Sequence, residues 1–332
     1  MGNVRLQYID ILKGMGIFFV VLGHTTQNKE LFNLIYAFHM PLFFIISGIF
    51  LHNKAGFICK YTKSLLIPYL SFGVLSFVYW WLVENHFREL PIGETFFSQF
   101  VNLFIPTGMQ HCNVVLWFLP CLFIACVTCN YLNSKITSKG LKILILLGLI
   151  CSVGYLGDGY PFYVGQASQA IPYVLVGSLF LGGKISIVNN LITCFKTIAV
   201  VVSLIGLLII YFSGVTCDML SCLYSPCYSI SFVVGLLGFI SFYILAFCLQ
   251  KNIILSWLGK NSLAIMLIHE PIKRVLIKLY SIVLNIPMDI LRESILNSII
   301  MATMTILISI PLVSLLNNKF PCLLGKKKKN EF

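Results

Sequence analysis

Residues 8–52 read YIDILKGMGIFFVVLGHTTQNKELFNLIYAFHMPLFFIISGIFLH, and this stretch decides the class of fold. It holds two apolar runs, residues 8–27 and 35–52, on either side of a short polar segment. A helix of about 17 to 25 largely apolar residues crosses a bilayer core of roughly 30 Å. The stretch therefore predicts two neighbouring membrane-spanning helices that run in opposite directions.

The rest of the chain has the same character. Of 332 residues, 58% are hydrophobic and 10% are charged, against about 25% charged in an ordinary soluble domain. The mean hydropathy is +0.93. This composition excludes a water-soluble enzyme, a nucleic-acid-binding protein and a disordered chain. Eight further spans are predicted at 64–83, 113–132, 141–157, 168–183, 197–213, 229–249, 258–284 and 294–316. We expect an all-α, polytopic bundle of about ten transmembrane helices, with residues 1–332 forming a single domain without a soluble appended domain.

The ninth predicted span, 258–284, contains His269, Glu270, Pro271, Lys273 and Arg274. Ionisable residues and a proline in one apolar segment are typical of a discontinuous membrane helix. A broken ninth helix is therefore expected.

The basic residues divide unequally between the two predicted sides. With the N-terminus in the cytoplasm, 16 of the 23 Lys and Arg residues fall on that side, among them Arg5, Lys54, Lys184 and Lys326 to Lys329, while Lys13 lies within the first helix. The 6 that fall outside are Lys29, Arg88, Lys273, Arg274, Lys278 and Arg292. This asymmetry follows the positive-inside rule and predicts that both termini are cytoplasmic. The run Lys326 to Lys329 is expected to lie at the anionic inner leaflet.

Three ionisable residues lie in the first predicted helix. Lys13 and His24 are 11 residues apart, a step that returns to within about 20° of the same helical face, and Asp10 lies one turn before Lys13. Asp10 and Lys13 also have the spacing of an interfacial i,i+3 ion pair, and His24 could simply donate to a backbone carbonyl. Because intramembrane ionisable groups are costly, we expect all three to face one functional groove.

The second helix brings another histidine to the same depth. His39 lies near its beginning, where the first helix has just ended, so His24 and His39 are expected to share one cavity. A neutral imidazole is a suitable general base near pH 7. Ser47 and Gly48 lie deeper in this helix and serve either for close helix packing or, through Ser47, for substrate contact.

These residues carry a family resemblance. The run from Tyr8 to Gly48, with Gly23-His24 and the segment Phe38 to Phe44, resembles the opening of the acyltransferase 3 family, most of all its fucose 4-O-acetylase-like branch. The Arg-x10-His pattern of the family falls on Lys13 and His24, and its basic-x-x-basic element falls on Lys60 and Lys63. Later signatures resemble residues 116–120 and 259–271.

The resemblance implies ten helices, transfer of an acyl group from acyl-CoA to a hydroxyl, and His24 as the catalytic histidine. His39 and Asp10 are the further catalytic candidates that the positions of the residues suggest. The donor is expected to be acetyl-CoA, a co-substrate whose phosphates meet Lys13, Lys60 and Lys63 at the cytoplasmic rim. Lysines replace the arginines of the family here, and an ammonium lacks their bidentate geometry. No metal or permanently bound cofactor is expected.

The acceptor is expected to be a sugar in a cell-surface glycan or a lipid-linked sugar. The protein is expected to lie in a bacterial cytoplasmic membrane. Ser47, Trp117 and Glu270 are candidate substrate contacts. Trp117 could instead be an aromatic anchor at the membrane interface. Glu270 could instead orient a histidine or lie exposed at the rim. Lys60 and Lys63 have the alternative of a purely topological role. A transporter or flippase for lipid-linked sugars is the competing class of function.

Overall fold

The computed structural model describes residues 6–51, 56–86, 88, 93–106, 110–153, 156–181, 185–249 and 251–326. Its α-helices are α1 Gln7–Thr25, α2 Lys29–Tyr36, α3 His39–Ile49, α4 Phe57–Tyr61, α5 Ile67–Leu82, α6 Phe96–Phe104, α7 Phe118–Lys135, α8 Lys139–Ser152, α9 Val164–Val176, α10 Ile185–Cys194, α11 Lys196–Ser213, α12 Tyr228–Cys248, α13 Ile253–Lys260, α14 Ser262–Leu284, α15 Met288–Glu293 and α16 Ile295–Lys319. Turns of π-helix follow α4 at Thr62–Leu66 and α9 at Gly177–Leu181. Short 3-10 turns occur at Glu84–His86, Val114–Trp117, Pro161–Tyr163 and Pro321–Leu324.

Seven helices of the described residues are long and apolar enough to cross a membrane: Gln7–Thr25, Lys29–Ile49, Phe57–His86, Val114–Lys135, Lys196–Ser213, Tyr228–Cys248 and Ile295–Lys319. The prediction of an all-α membrane bundle is confirmed. The three other predicted spans coincide with the 14-residue α8, with α9 and its π turn, and with the charge-bearing α14. The number ten remains a prediction.

Helix α1 is the centre of the bundle and packs against α3, α12, α13, α14 and α16. Its contact with α13 is especially close. A Cβ atom at Gly14 would lie 2.0 Å from the carbonyl oxygen of Leu255, and one at Gly259 would lie 1.7 Å from that of Asp10. Small residues at both positions let the two backbones touch, as membrane helix pairs commonly do.

The break expected at the charged segment His269 to Arg274 is wrong, because α14 continues through Pro271 to Leu284. Proline has no N–H, so the carbonyl of Leu267, one turn earlier, loses its helical partner. Asn113 supplies the missing donor, since its Nδ2 donates to Leu267 O at 3.1 Å. The interruption in this segment lies earlier, at Asn261, where α13 ends and α14 begins.

Hydrogen bonds between distant residues show which segments share an end of the bundle. At one end, Asn189 donates to the hydroxyl of Tyr8 at 3.1 Å, and Asn317 donates to Asn261 at 3.0 Å. At the other end, Tyr211 donates to Glu30 at 2.7 Å. We call these the Lys13 end and the His24 end, after two residues of α1 that lie toward the one and the other.

The structure contains a two-stranded β-hairpin at the His24 end, which the all-α prediction did not include. Strand β1 Thr216–Asp218 pairs antiparallel with β2 Leu223–Ser225. Gln166 of α9 donates to Leu220 O within the hairpin loop at 2.8 Å. Strands of three residues are too short to produce an alternating hydrophobic pattern that a sequence could reveal.

Some basic residues that support the predicted orientation lie outside the described residues. They are Arg5, Lys54, Lys184 and Lys327 to Lys329. The expectations that rest on them remain predictions.

Candidate functional site

His24 lies in the last turn of α1, where two cavities of the protein meet. Its side chain is 17% exposed, and Nδ1 lies 3.4 Å from Oε1 of Glu270 on α14. Its ring centroid is 5.5 Å from that of His269. A carboxylate that faces Nδ1 favours the hydrogen on Nδ1, which leaves the lone pair on Nε2.

The first of the two cavities, here called the long cavity, extends from Lys13 on α1 to His24 and the β-hairpin. It encloses an empty volume of about 1410 Å³, including the space at its mouths. Its walls are mainly apolar, and the residues that bring polar atoms to them are Lys13, His24, Tyr36, His39, Ser47, Ser64, Trp117, Asp218 and Ser262. Eleven residues of α1 separate Lys13 from His24, a rise of about 16 Å. The cavity thus connects the His24 end with the Lys13 end through the interior of the bundle.

The second cavity, here called the polar chamber, lies on the other side of His24 and has an empty volume of about 930 Å³. Basic side chains dominate its wall: Arg88, Lys273, Arg274 and Arg292. Glu270 and His111 also line it. His24 and Tyr36 line both cavities. A reactant in the long cavity and one in the polar chamber would therefore both reach His24.

Glu270 is buried, with 1% of its surface exposed, and several basic groups surround it. Lys273 Nζ donates to Oε1 at 2.7 Å, and Arg274 Nη2 lies 3.0 Å from Oε2. A buried carboxylate is stable only with such partners. The spacing of Glu270, Lys273 and Arg274 places them on one face of α14. The helix thus presents a fixed negative charge to Nδ1 of His24.

A second buried carboxylate joins α14 to the end of α5. Glu84 is fully buried and accepts two hydrogen bonds from Nη1 of Arg274, both at 3.1 Å. Arg88 contacts the same carboxylate at 3.3 Å and donates to His111 O at 2.8 Å. Arg274 therefore bridges Glu84 and Glu270 and holds the wall of the polar chamber to the helix that carries Glu270.

The C-terminus of α1 is capped by basic side chains from α14 and α15. Arg292 donates from Nε to Thr25 O at 2.9 Å and from Nη2 to His24 O at 3.3 Å. Lys273 Nζ also donates to His24 O, at 3.1 Å. The last carbonyls of a helix lack internal partners and carry partial negative charge, which cations stabilise. These contacts fix the backbone of His24.

His39 lines the long cavity at the beginning of α3. Its Nδ1 lies 2.9 Å from Ile35 O, and since a carbonyl only accepts, Nδ1 carries the hydrogen. Its lone pair is therefore on Nε2. The ring packs edge-on against Tyr36, with centroids 4.8 Å apart.

Comparison with known proteins identifies the family of the chain. A family model described as an acyltransferase domain, that of the acyltransferase 3 family, matches residues 6–314. The chain belongs to this family of membrane acyltransferases. No curated protein sequence and no solved structure gives a significant match. The match covers every α-helix of the acyltransferase except the end of α16, and the 3-10 turn Pro321–Leu324 follows it.

The acyltransferase does not place all the predicted catalytic residues together. His24 and His39 line the same cavity, whereas Asp10 lines neither cavity. Fourteen residues of helix, about 21 Å, separate Asp10 from His24. The three-residue step from Asp10 to Lys13 rotates by about 300°, so the two side chains lie about 60° apart around α1. Lys13 faces the long cavity, and Asp10 is buried near the contact of α1 with α13.

The predicted donor-binding and substrate-binding residues have different positions. Lys60 and Lys63 are exposed near Ser64 and Leu65, which line the Lys13 end of the long cavity. Ser47 and Trp117 line the same cavity, and Ser47 donates to Phe43 O at 2.8 Å. The neighbour of Ser47, Gly48, makes the close helix contact, because its Cβ would lie 2.1 Å from Val174 O.

Sequence reasoning missed much of the polar chamber. The positive-inside asymmetry predicts only that Lys273, Arg274 and Arg292 are basic residues on the outer side, and no pattern predicts a role for Glu84. The alternative that Glu270 is an exposed rim carboxylate is wrong, because the residue is buried. The i+3 and i+4 spacing of Lys273 and Arg274 after Glu270 was the signal that could have indicated a helical ion cluster.

Three side chains of the acyltransferase have the donor types of a metal site. Nitrogens of His24 and His269 and a carboxylate oxygen of Glu270 lie within 4.8 Å of one another. The ammonium of Lys273, however, already contacts Oε1 of Glu270 at 2.7 Å. His269 donates from Nδ1 to Met266 O at 2.8 Å. Its Nε2 is buried and has no hydrogen-bond partner. The local charge of Glu270 is therefore balanced by Lys273 and Arg274 without a metal ion.

Proposed function

We propose that the acyltransferase moves an acyl group, most simply acetyl, from acyl-CoA to a hydroxyl of a sugar in a cell-surface or lipid-linked glycan. The observation that carries this proposal is the position of His24 at the junction of the long cavity and the polar chamber. A group-transfer enzyme that serves two substrates from opposite sides of a membrane needs one reactive group accessible to both. The fucose 4-O-acetylase-like resemblance favours acetyl and a sugar.

The donor is proposed to enter at the Lys13 end. Lys13 lines that part of the long cavity, and Lys60 and Lys63 lie exposed beside it. Ammonium groups there are suited to the phosphates of CoA. The pantetheine arm would follow the apolar walls toward His24, about 16 Å further along α1.

The acceptor is proposed to enter through the polar chamber. Its hydroxyl oxygen would attack the carbonyl carbon of the thioester and form a C–O bond, while the C–S bond breaks. Nε2 of His24 would take the hydroxyl proton and pass it to the departing thiolate, which leaves as the CoA thiol. Glu270 would orient His24 and stabilise its protonated form during transfer. Transient acylation of a side chain is the other possible route.

His39 is proposed to assist from the wall of the long cavity. Its bond to Ile35 O fixes the ring, so Nε2 can accept a hydrogen bond from a reactant or from water. Asp10 is retained as a sequence-based candidate without a geometric role.

The sidedness of this proposal follows from the basic residues. The Lys13 end is the one predicted to carry 16 of the 23 Lys and Arg residues, and it would lie in the cytoplasm of a bacterium, where acyl-CoA is available. Cysteine labelling at Lys139 and at Glu94 should then report opposite sides of the membrane. Labelling from one side at both positions would contradict this orientation.

The direct test compares glycans from cells with and without the gene by mass spectrometry. A gene-dependent increase of ~42 Da per sugar, the composition of one acetyl substituent, is expected. Complementation with His24→Ala should not restore it, whereas His86→Ala, a change at an exposed histidine of the same end, should. Identical glycans with and without the gene would contradict the proposal.

A further inference from the structure

We infer that the polar chamber recognises an anionic acceptor, a sugar that carries a phosphate or a carboxylate, and that Arg292 is the principal contact of this anion. The inference rests on the proposed function and adds the chemical class of the acceptor. It arises from the excess of basic side chains in the chamber, which have no part in the transfer step itself.

The chamber carries more positive than negative charge. Four Lys and Arg side chains line it, and Glu84 and Glu270 are the carboxylates in contact with them. Lys273, Arg274 and Arg88 each contact one or both of these carboxylates. A neutral sugar would give no compensation for the remaining positive charge, whereas a bound anion would.

Arg292 is the basic side chain of the chamber that makes no direct ion pair, since Glu270 and Asp289 act on its charge only from beyond contact distance. Its guanidinium donates to the carbonyl oxygens of Thr25 and His24, which accept hydrogen bonds but carry no formal charge. Among the described residues, no carboxylate lies within ion-pair distance of it. Asp289, one turn earlier on α15, is exposed and outside the chamber. An arginine fork is well suited to bidentate contact with phosphate or carboxylate oxygens.

The position of Arg292 connects this charge to the reaction. Arg292 and Lys273 both donate to the backbone oxygen of His24, so their cationic groups lie beside the catalytic histidine. An anion held there would place a hydroxyl of the same or the adjacent sugar near the His24 ring. Such fixed placement of the reacting group accelerates transfer.

The phosphates of the donor are a poor candidate for this anion. They would need to lie at the cytoplasmic side, and the chamber opens at the His24 end, away from Lys60 and Lys63. The two groups of cations are separated along the length of α1. The chamber is therefore assigned to the acceptor and not to CoA.

The test begins with the acylated glycan identified by mass spectrometry. The purified protein in zwitterionic nanodiscs is given acetyl-CoA and either this acceptor or a form without its charge. Phosphatase treatment removes phosphate, and chemical reduction removes carboxylate, so the two treatments distinguish the sources of the anion. Each should lower kcat/KM for the acceptor by about tenfold or more if it removes the charge that Arg292 contacts.

Variants then locate the contact. In Arg292→Gln the charged and the neutralised acceptor should react at nearly equal rates, while Lys278→Gln, a matched loss of an exposed charge on α14, should keep the wild-type ratio. The wild-type comparison remains decisive even if Arg292→Gln does not fold.

Each other result would contradict a specific claim. An acylated unit with no anionic group, or a charge preference that persists in Arg292→Gln, would overturn the inference and leave the proposed function intact. A rise in the KM for acetyl-CoA in Arg292→Gln, with the acceptor unaffected, would assign the chamber to the donor and overturn it as well. Absence of any gene-dependent acylation would overturn the proposed function itself.

Discussion

Nδ1 of His24 lies 3.4 Å from Oε1 of Glu270, although the two residues belong to the first and the fourteenth helices of the chain. Lys273 contacts the same oxygen, and Arg274 contacts Oε2 of this carboxylate. The His24 ring is thus oriented by the buried carboxylate of Glu270, which belongs to α14. Several consequences of this arrangement can be measured.

Glu270→Gln should lower kcat by about 10²-fold or more, because an amide neither stabilises the protonated imidazole nor fixes its tautomer. The KM for acyl-CoA should change little, since Glu270 lies in the polar chamber and not at the Lys13 end. Steady-state kinetics on the purified variant would measure both. Glu94→Gln, at an exposed carboxylate of the same end, is the control.

The same substitution leaves Lys273 and Arg274 with less counter-charge, so lower stability is expected as well. Glu270→Asp keeps the charge and should fold better while still losing activity, because the shorter side chain withdraws from His24. A Glu270→Asp variant with full activity would contradict the positioning role.

Asn113→Leu should destabilise the protein by about 1 to 3 kcal/mol, because it leaves the carbonyl of Leu267 without a donor. Pro271→Ala restores a backbone N–H that can bond to this carbonyl. Asn113→Leu should therefore cost less in the Pro271→Ala background than in the wild type. Thermal unfolding in detergent would measure the four proteins, and equal costs in both backgrounds would contradict our account of the continuous α14.

Gly14→Ala should disrupt the contact of α1 with α13, because the new methyl group would meet the carbonyl of Leu255 at 2.0 Å. Overpacking of this kind typically costs about 1 to 3 kcal/mol. Gly148→Ala on α8 is the matched control, since nothing lies within 4 Å of its Cβ position. The unfolding temperatures of the two variants test this prediction, and equal temperatures would contradict the close contact.

Replacement of Lys60 and Lys63 by Gln should raise the KM for acyl-CoA and weaken its salt dependence, while the KM for the acceptor stays nearly constant. Both ammonium groups are exposed at the Lys13 end. A Lys135→Gln, Lys142→Gln double variant removes the same charge from another helix pair and should leave both constants unchanged. A purely topological role would instead lower the yield of inserted protein and leave its kinetics normal.

The sequence predicted the parts of this protein that depend on local pattern. Apolar runs identified the membrane bundle, and the depths of His24 and His39 indicated a common cavity. The continuity of α14 could not be predicted, because the donor for Leu267 O comes from Asn113 in a distant segment. The sequence shows the i,i+4 spacing of Glu84 and Arg88, but the link from Glu84 to Arg274 was hidden, since Arg274 lies on another helix. Partners that only tertiary packing brings together leave no spacing in the sequence.

The central claim is that His24 is the base of the transfer. The most direct measurement is the rate at which labelled acetyl passes from acetyl-CoA to the acceptor in purified wild-type, His24→Ala and His86→Ala proteins of equal stability. We expect His24→Ala to lose about 10²- to 10⁴-fold in turnover, the usual effect of removing a general base, and His86→Ala to match the wild type. Near-normal turnover by a correctly folded His24→Ala protein would contradict the account.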